Sequence, residues 1–123
     1  MYKHFPERNF YPEQRARALA MFLDISDGRI RDINDRTFEF GGHNYLVLTN
    51  EEADEMENLS LENYIDDVIF PTLPASVHPY FDREKWKDEA RYAGRGQSLA
   101  AWDGEEHEIT MGWDNVTYYI YKS

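Results

Sequence analysis

The chain has 123 residues, with 24 acidic and 13 basic residues, a formal net charge of −11 and no cysteine. The length and the apolar fraction of 41% predict a single domain, residues 1–123, with its own hydrophobic core. The absence of cysteine excludes disulfides and thiolate metal sites, and the negative charge disfavours direct binding to DNA or to a membrane surface. Since no apolar run is long enough to span a bilayer, the sequence predicts a soluble cytoplasmic protein.

The first 48 residues predict one helix and one hairpin. Residues 1–10 have no periodic pattern, so we interpret them as a flexible tail or a lid over the sheet. Apolar residues spaced as on one helix face predict a helix over residues 12–25, ended by Asp27-Gly28. Residues 37–40 and 44–48 have strand patterns around Gly41-Gly42, which indicates a hairpin whose second strand is central in the sheet.

The segment from residue 49 to residue 69 has the strongest charge imbalance of the chain. Thr49 and Glu52 have the spacing of a capping box, so we expect a helix to begin here. Eight acidic residues and no lysine or arginine lie between residues 50 and 67. One side of this helix is apolar, and the other carries a stripe of carboxylates roughly 22 Å long, formed by Glu51, Glu55, Glu62 and Asp66. The alternatives are an ordinary solvated face, or a second helix capped by Ser60 that bends the stripe.

The last 54 residues predict a third helix and a second hairpin. Prolines enforce an irregular connection, and Asp82 is expected to cap a helix that extends to about residue 92. Residues 94–97 are expected to form a loop, and residues 98–102 a short strand. A final hairpin pairs residues 107–111 with residues 116–121. The predicted fold is therefore α+β, with three helices and a small antiparallel sheet of four to five strands built from two hairpins.

Other patterns suggest a second interaction surface more than an active site. Glu105, Glu106 and Glu108 surround His107, and a turn before a strand explains them as well as metal ligation or acid-base chemistry does. Ser98, His107 and Asp103 include the residue types of a hydrolase triad, but no nucleophile elbow accompanies them. The sequence thus predicts no catalytic residue, no metal and no cofactor. Trp113 lies among the aromatic residues of the last hairpin, which either pack in the core or bind a partner.

About two thirds of the chain resembles a family of small acidic proteins of phages and other mobile elements, most of them without an assigned function. The resemblance is carried by YLVLT at 45–49 with EEAD at 51–54, YFD at 80–82 with Trp86 and DEARY at 88–92, GRGQSL at 94–99 with DGEEHE at 103–108, and YYIYK at 118–122. A shorter segment, from Pro74 through Arg91, resembles part of the ArdA-type antirestriction proteins, which imitate DNA.

These patterns favour a non-enzymatic counter-defence inhibitor of the anti-CRISPR or antirestriction type, acting in the host-cell cytoplasm if it is encoded by a phage. The expected partner is a host defence protein or ribonucleoprotein complex with a basic nucleic-acid-binding surface, which the chain would occupy by DNA mimicry, as a monomer or homodimer. The predicted partner-binding residues are Glu51, Glu55, Glu62, Asp66, Glu105, Glu106, Glu108 and Trp113. The alternative is an acidic adaptor or regulator that binds a host protein through its aromatic surface, without competing with nucleic acid.

Overall fold

The computed structural model describes residues 12–112 and 115–123, so the expected tail at residues 1–10 lies outside the described residues. Within them the predicted α+β fold is confirmed, with helices packed on a five-stranded antiparallel sheet. The strands are β1 Arg31–Asp32, β2 Thr37–Phe40, β3 His43–Leu48, β4 His107–Thr110 and β5 Thr117–Lys122. Their order in the sheet is β1-β2-β3-β5-β4, which confirms the central position of β3.

The described residues include four α-helices: α1 Pro12–Leu23, α2 Asn50–Tyr64, α3 Arg83–Ala90 and α4 Arg95–Leu99. A π-helical turn, Ile65–Ile69, extends α2, and short 3-10 helices cover Asp27–Arg29, Phe70–Thr72, Ala75–Tyr80 and Arg91–Ala93. In these parts of the chain, no helix combines the length and the apolar character needed to cross a membrane.

The two helix starts and the first hairpin turn form as their sequences predict. The Thr49 side chain accepts a hydrogen bond from the Glu52 N–H while the Glu52 side chain accepts one from the Thr49 N–H, which confirms the capping box at α2. Asp82 caps α3 by accepting a hydrogen bond from the Lys85 N–H. Gly41 and Gly42 have φ angles of 62° and 82°, which suit the tight turn between β2 and β3.

The sheet lies between α1 on one face and α2 with α4 on the other. Tyr45 and Val47 of β3 pack with Ala18 and Leu19 of α1 in one buried cluster, whereas Leu48 packs with Ala53 of α2 in another. The aromatic residues of β5 alternate in the same way, since Tyr118 belongs to the first cluster and Tyr121 to the second. Both tyrosines are fully buried, so they serve as core residues.

Two expectations and one alternative about local structure are wrong. The predicted first helix ends at Leu23 instead of residue 25, and Asp24 follows in the left-handed region with φ 59°. Residues 94–97 and 98–102 are not a loop and a strand, because α4 occupies most of this segment. Ser60 does not begin a second helix, because α2 continues through it to Tyr64.

Gly96 explains why α4 can lie where it does. A Cβ atom at this position would lie 2.5 Å from the Gly104 carbonyl oxygen and 2.8 Å from the Glu106 backbone nitrogen. Only glycine therefore lets α4 approach the segment that leads into β4. This close approach brings the first turn of α4 next to the start of β4 and to the N-terminal half of α2.

Candidate functional site

The carboxylate of Glu52, at the start of α2, is held by two arginines from the first 36 residues. Arg15 donates to both of its oxygens, at 2.6 and 2.8 Å, and Arg36 Nη2 lies 3.3 Å from Oε2. Burial alone would raise the pKa of Glu52, but the hydrogen bonds from Arg15 and Thr49, with the charges of Arg15 and Arg36, outweigh it and lower the pKa below 4.5. This carboxylate is therefore a structural link between α1 and α2.

Two members of the predicted stripe are neutralised by α3. Arg83 donates to Glu62 Oε1 at 2.5 Å and to Asp66 Oδ1 at 2.6 Å, while the ammonium of the buried Lys87 lies 2.6 Å from Glu62 Oε2. The hydrogen bond from Lys87 is the main reason why the pKa of Glu62 is lowered. The segment itself has no lysine or arginine, but α3 packs beside the C-terminal half of α2 and supplies the counter-ions of Glu62 and Asp66.

Arg95 links three acidic or phenolic groups where α2, α4 and the start of β4 meet. Its guanidinium donates to Asp54 Oδ1 at 3.0 Å and to Glu106 Oε1 at 2.7 Å. The hydroxyl of Tyr121 donates to the same Glu106 oxygen at 2.5 Å. Burial would raise the pKa of Glu106, but these two donors hold it below its usual value, and burial together with the nearby carboxylate raises the pKa of Tyr121. Glu106, one of the predicted partner-binding residues, is therefore bound internally.

Glu57 is the least compensated of the buried charges. It is 5% exposed, and among the described residues its single ion pair is with Arg91 Nε, 3.8 Å from Oε1. Burial is the main cause of its raised pKa; Asp54 and Glu106 raise it further, whereas Arg91 and Arg95 act in the opposite direction. Ionisation of Glu57 therefore costs folding free energy at pH values above about 4.5.

The unpaired carboxylates of α2 lie on its outer face. Glu51 and Glu55 are exposed, and neither has an ion pair with any residue that the structure describes. They are four residues apart, or about 6 Å along the helix axis, on one row of the helix surface. Leu59 continues this row and is 60% exposed. We call Glu51, Glu55 and Leu59 the outer row of α2; it presents two free charges followed by an apolar side chain.

The second acidic patch is divided between free and bound groups. Glu105 and Glu108 are exposed and unpaired within the described ranges. Asp103 accepts a hydrogen bond from the Glu105 N–H and lies 3.5 Å from His107 Nε2, while the His107 ring packs against Phe22 with centroids 4.9 Å apart. No group of three or more metal-ligating side chains occurs in the part of the chain that the structure describes.

Of Trp102 and Trp113, the structure describes Trp102. Trp113 lies outside the described residues, so its predicted role is not located in the structure. Trp102 was not among the predicted partner-binding residues, yet it is 62% exposed. Its ring contacts the edge of His43, with centroids 4.5 Å apart, and the Lys122 ammonium lies 5.1 Å from its centroid. This arrangement fixes an exposed indole at one end of the sheet.

Sequence reasoning missed the basic residues that bind the acidic helix. Arg83, Lys87 and Arg91 each pair with a carboxylate of α2, and they are spaced four residues apart. This i, i+4, i+8 spacing is a visible signal, because it aligns three cations on one face of α3. Arg95 gave no comparable signal, since its partners are 41 and 11 residues away in the chain.

Comparison of the chain with protein-family models, with curated proteins and with solved structures finds no match. What the chain binds must therefore be inferred from its own surface.

Five of the eight acidic residues between positions 50 and 67 form ion pairs within the chain, namely Glu52, Asp54, Glu57, Glu62 and Asp66. The other three, Glu51, Glu55 and Asp67, have no ion pair with the described residues.

Proposed function

We propose that this chain is a non-enzymatic inhibitor that binds the basic nucleic-acid-binding surface of a host defence complex, such as a CRISPR effector or a restriction enzyme. The outer row of α2 is its contact surface, and Glu105 with Glu108 adds a second contact. A phage or mobile-element origin follows only from the sequence resemblance described above. Competition with DNA or RNA for the same cationic surface is the proposed mechanism.

The observation that carries this proposal is the contrast between neighbouring carboxylates of α2. Four carboxylates of α2, and Asp66 just after it, are bound by cations of the chain, whereas Glu51 and Glu55 are exposed without one. Two like charges four residues apart repel each other, and a lysine in their place would relieve this cost. An external cationic surface relieves it equally well, and a net charge of −11 accelerates encounter with such a surface at low salt.

The pairing of Glu62 and Asp66 changes the expected form of the mimicry. The free charges do not extend over the roughly 22 Å of the whole stripe. Glu51 and Glu55 are about 6 Å apart along the axis, close to two phosphate steps of roughly 3.4 Å on one DNA strand. The proposed contact therefore imitates a short phosphate segment, and Leu59 supplies an apolar contact beside it.

The test is inhibition of DNA cleavage by a panel of purified restriction enzymes and CRISPR effectors. The double variant Glu51→Lys and Glu55→Lys is expected to lose the inhibition that the unaltered chain shows, and the salt dependence of binding should decrease with it. The matched control is Asp32→Lys with Asp35→Lys, because both residues are exposed and the change in net charge is the same. Equal loss in both double variants, or no inhibition by the unaltered chain, would contradict the proposal.

A second candidate function is an adaptor that docks a host protein through its aromatic surface. The 62% exposure of Trp102 favours it, since exposed indoles are frequent centres of protein interfaces. In that case Trp102→Ala or Trp113→Ala would abolish binding of the target, while reversal of Glu51 and Glu55 would change it little. Measuring one target with both sets of variants separates the two functions.

A further inference from the structure

A groove of about 530 Å³ opens on the side of α2 nearly opposite to the outer row. It lies between the C-terminal half of α2, α3, the following 3-10 helix and α4. Leu61, Ala90 and Ala93 contribute apolar surface, and Gln97 and Ser98 of α4 add polar groups. A volume in this range is typical of sites that bind a small molecule or a single anchoring side chain.

Two aromatic rings form one wall of this groove. Tyr64 and Trp86 are stacked, with centroids 5.6 Å apart and ring planes inclined by 10°. Tyr64 remains 49% exposed, although it packs against the indole. Stacked rings offer an electron-rich face, which attracts cationic groups as well as apolar chains.

No cation lines the groove, and one free carboxylate flanks it. Arg83, Lys87 and Arg91 are all engaged by carboxylates, and none of them lines the groove. Glu89 lies one turn after Trp86 along α3 and precedes Ala90 of the groove lining. It is exposed and has no ion pair with the residues that the structure describes.

We propose that this groove binds the side chain of an arginine or lysine of a partner protein. Its methylene stem lies against the rings of Tyr64 and Trp86, and its cationic head faces the exposed carboxylate of Glu89. The inference rests on the proposed function, because that function requires a partner with a basic surface. A second copy of the chain is disfavoured as the occupant, because each copy has a net charge of −11 and two copies repel each other.

The experiment uses a short peptide as the probe. The ¹⁵N-labelled chain is titrated with acetyl-Ala-Ala-Arg-Ala-Ala-amide, and with the same peptide carrying citrulline, the neutral analogue of arginine. The arginine peptide is expected to shift the Trp86 indole N–H and the amides of Ala90 and Ala93 in a saturable way. The citrulline peptide should bind about tenfold more weakly, because it lacks the charge. Equal binding of both peptides would overturn the proposal.

Two variants test whether the shifts arise in the groove. Ala93→Leu adds bulk to the groove wall and is expected to abolish them, whereas Ala101→Leu, at another exposed alanine, should leave them unchanged. Glu89→Gln should weaken binding of the arginine peptide without unfolding the chain, because it removes an exposed carboxylate beside the groove. Shifts that persist in Ala93→Leu, or that occur only at Glu51 and Glu55, would exclude the groove.

The failure of this inference differs from the failure of the proposed function. If the groove is not a cation site, the peptide titration fails while inhibition of DNA cleavage still depends on Glu51 and Glu55. If the proposed function is wrong, the double reversal of those two residues has no effect on any enzyme of the panel. Inhibition that depends on the outer row and is also weakened by Ala93→Leu would support both.

Discussion

Arg95 Nε lies 2.7 Å from Glu106 Oε1 and joins the beginning of α4 to the segment that leads into β4. The same guanidinium donates to Asp54 of α2 and lies 4.7 Å from the centroid of the Tyr119 ring. Its side chain is only 14% exposed, so these contacts are largely shielded from water. One residue thus connects three elements that are distant in the chain.

Arg95→Ala is therefore expected to destabilise the fold strongly. The substitution leaves the carboxylates of Asp54 and Glu106 close to each other without their shared cation, at a cost of about 2 to 4 kcal/mol. Urea unfolding followed by far-UV circular dichroism measures this difference. Arg31→Ala is the control, because the Arg31 side chain is 69% exposed and its pair with Glu39 should contribute less than about 1 kcal/mol.

Gly96→Ala should also lower stability, by roughly 2 to 4 kcal/mol, since the new methyl group would overlap the backbone of Gly104 and Glu106. Neither of these contacts is with a flexible side chain that could move away. Gly28→Ala is the matched control, because its Cβ would meet nothing nearer than 3.9 Å. Equal thermal midpoints for the two variants would show that α4 does not need this close approach.

Glu57→Gln is expected to raise the free energy of unfolding at pH 7. The pKa of Glu57 is above 4.5 in the folded chain, so ionisation disfavours the folded state as pH rises from 4.5 through that higher pKa. The advantage of the variant should therefore be absent at low pH and grow towards neutral pH. Glu55→Gln, at an exposed position, should show no such trend in chemical denaturation at a series of pH values.

Acid should lower the free energy of unfolding through carboxylates whose pKa, unlike that of Glu57, is lowered in the folded chain. The pKa of Glu52 is lowered, so its ionised form contributes stability that is complete above about pH 4.5 and is lost as pH falls through the lower folded pKa. Between about pH 5 and pH 3 the unaltered chain should lose more stability than Glu52→Gln does. An identical pH dependence of the two chains would mean that Arg15 and Arg36 do not hold the carboxylate in solution.

Charge reversal should separate binding carboxylates from structural ones. Glu55→Lys is expected to change the free energy of unfolding by less than about 0.5 kcal/mol, because Glu55 is exposed and unpaired in the described structure. Glu62→Lys should lower the thermal midpoint clearly, since it places a third cation beside Arg83 and Lys87. Differential scanning calorimetry of both variants checks this. Of these two positions, Glu55 is the one at which charge reversal tests partner binding without a change in stability.

Local patterns in the sequence were sufficient to predict most of the fold. The Gly41-Gly42 turn, the capping box of Thr49 and Glu52, and the Asp82 cap each involve residues within a few positions of one another. Such interactions are specified by spacing alone, and the structure confirms them. For the aromatic residues of β5 the sequence left core packing and partner binding open, and the structure places Tyr118 and Tyr121 in the two buried clusters.

Long-range contacts account for what the sequence could not reveal. The helix α4 has a Gly-Arg-Gly start and only five residues, so it depends on Arg95 and on the approach of Gly104 instead of helix propensity. The neutralisation of Glu62 joins residues that are 21 and 25 positions apart in the chain. Charge counting therefore overstated the free stripe, and only packing of α3 against α2 showed which carboxylates are unpaired.

The position of β5 beside β3 has a consequence for co-translational folding. In the finished sheet Val47 is opposite Ile120, so the central strand acquires this neighbour only after β5 has been translated, long after β3 itself. Until then α1 and α2 can pack on only part of the sheet, and closing so long a loop is slow. We expect this part of the nascent polypeptide to stay accessible to proteases and chaperones until β5 emerges.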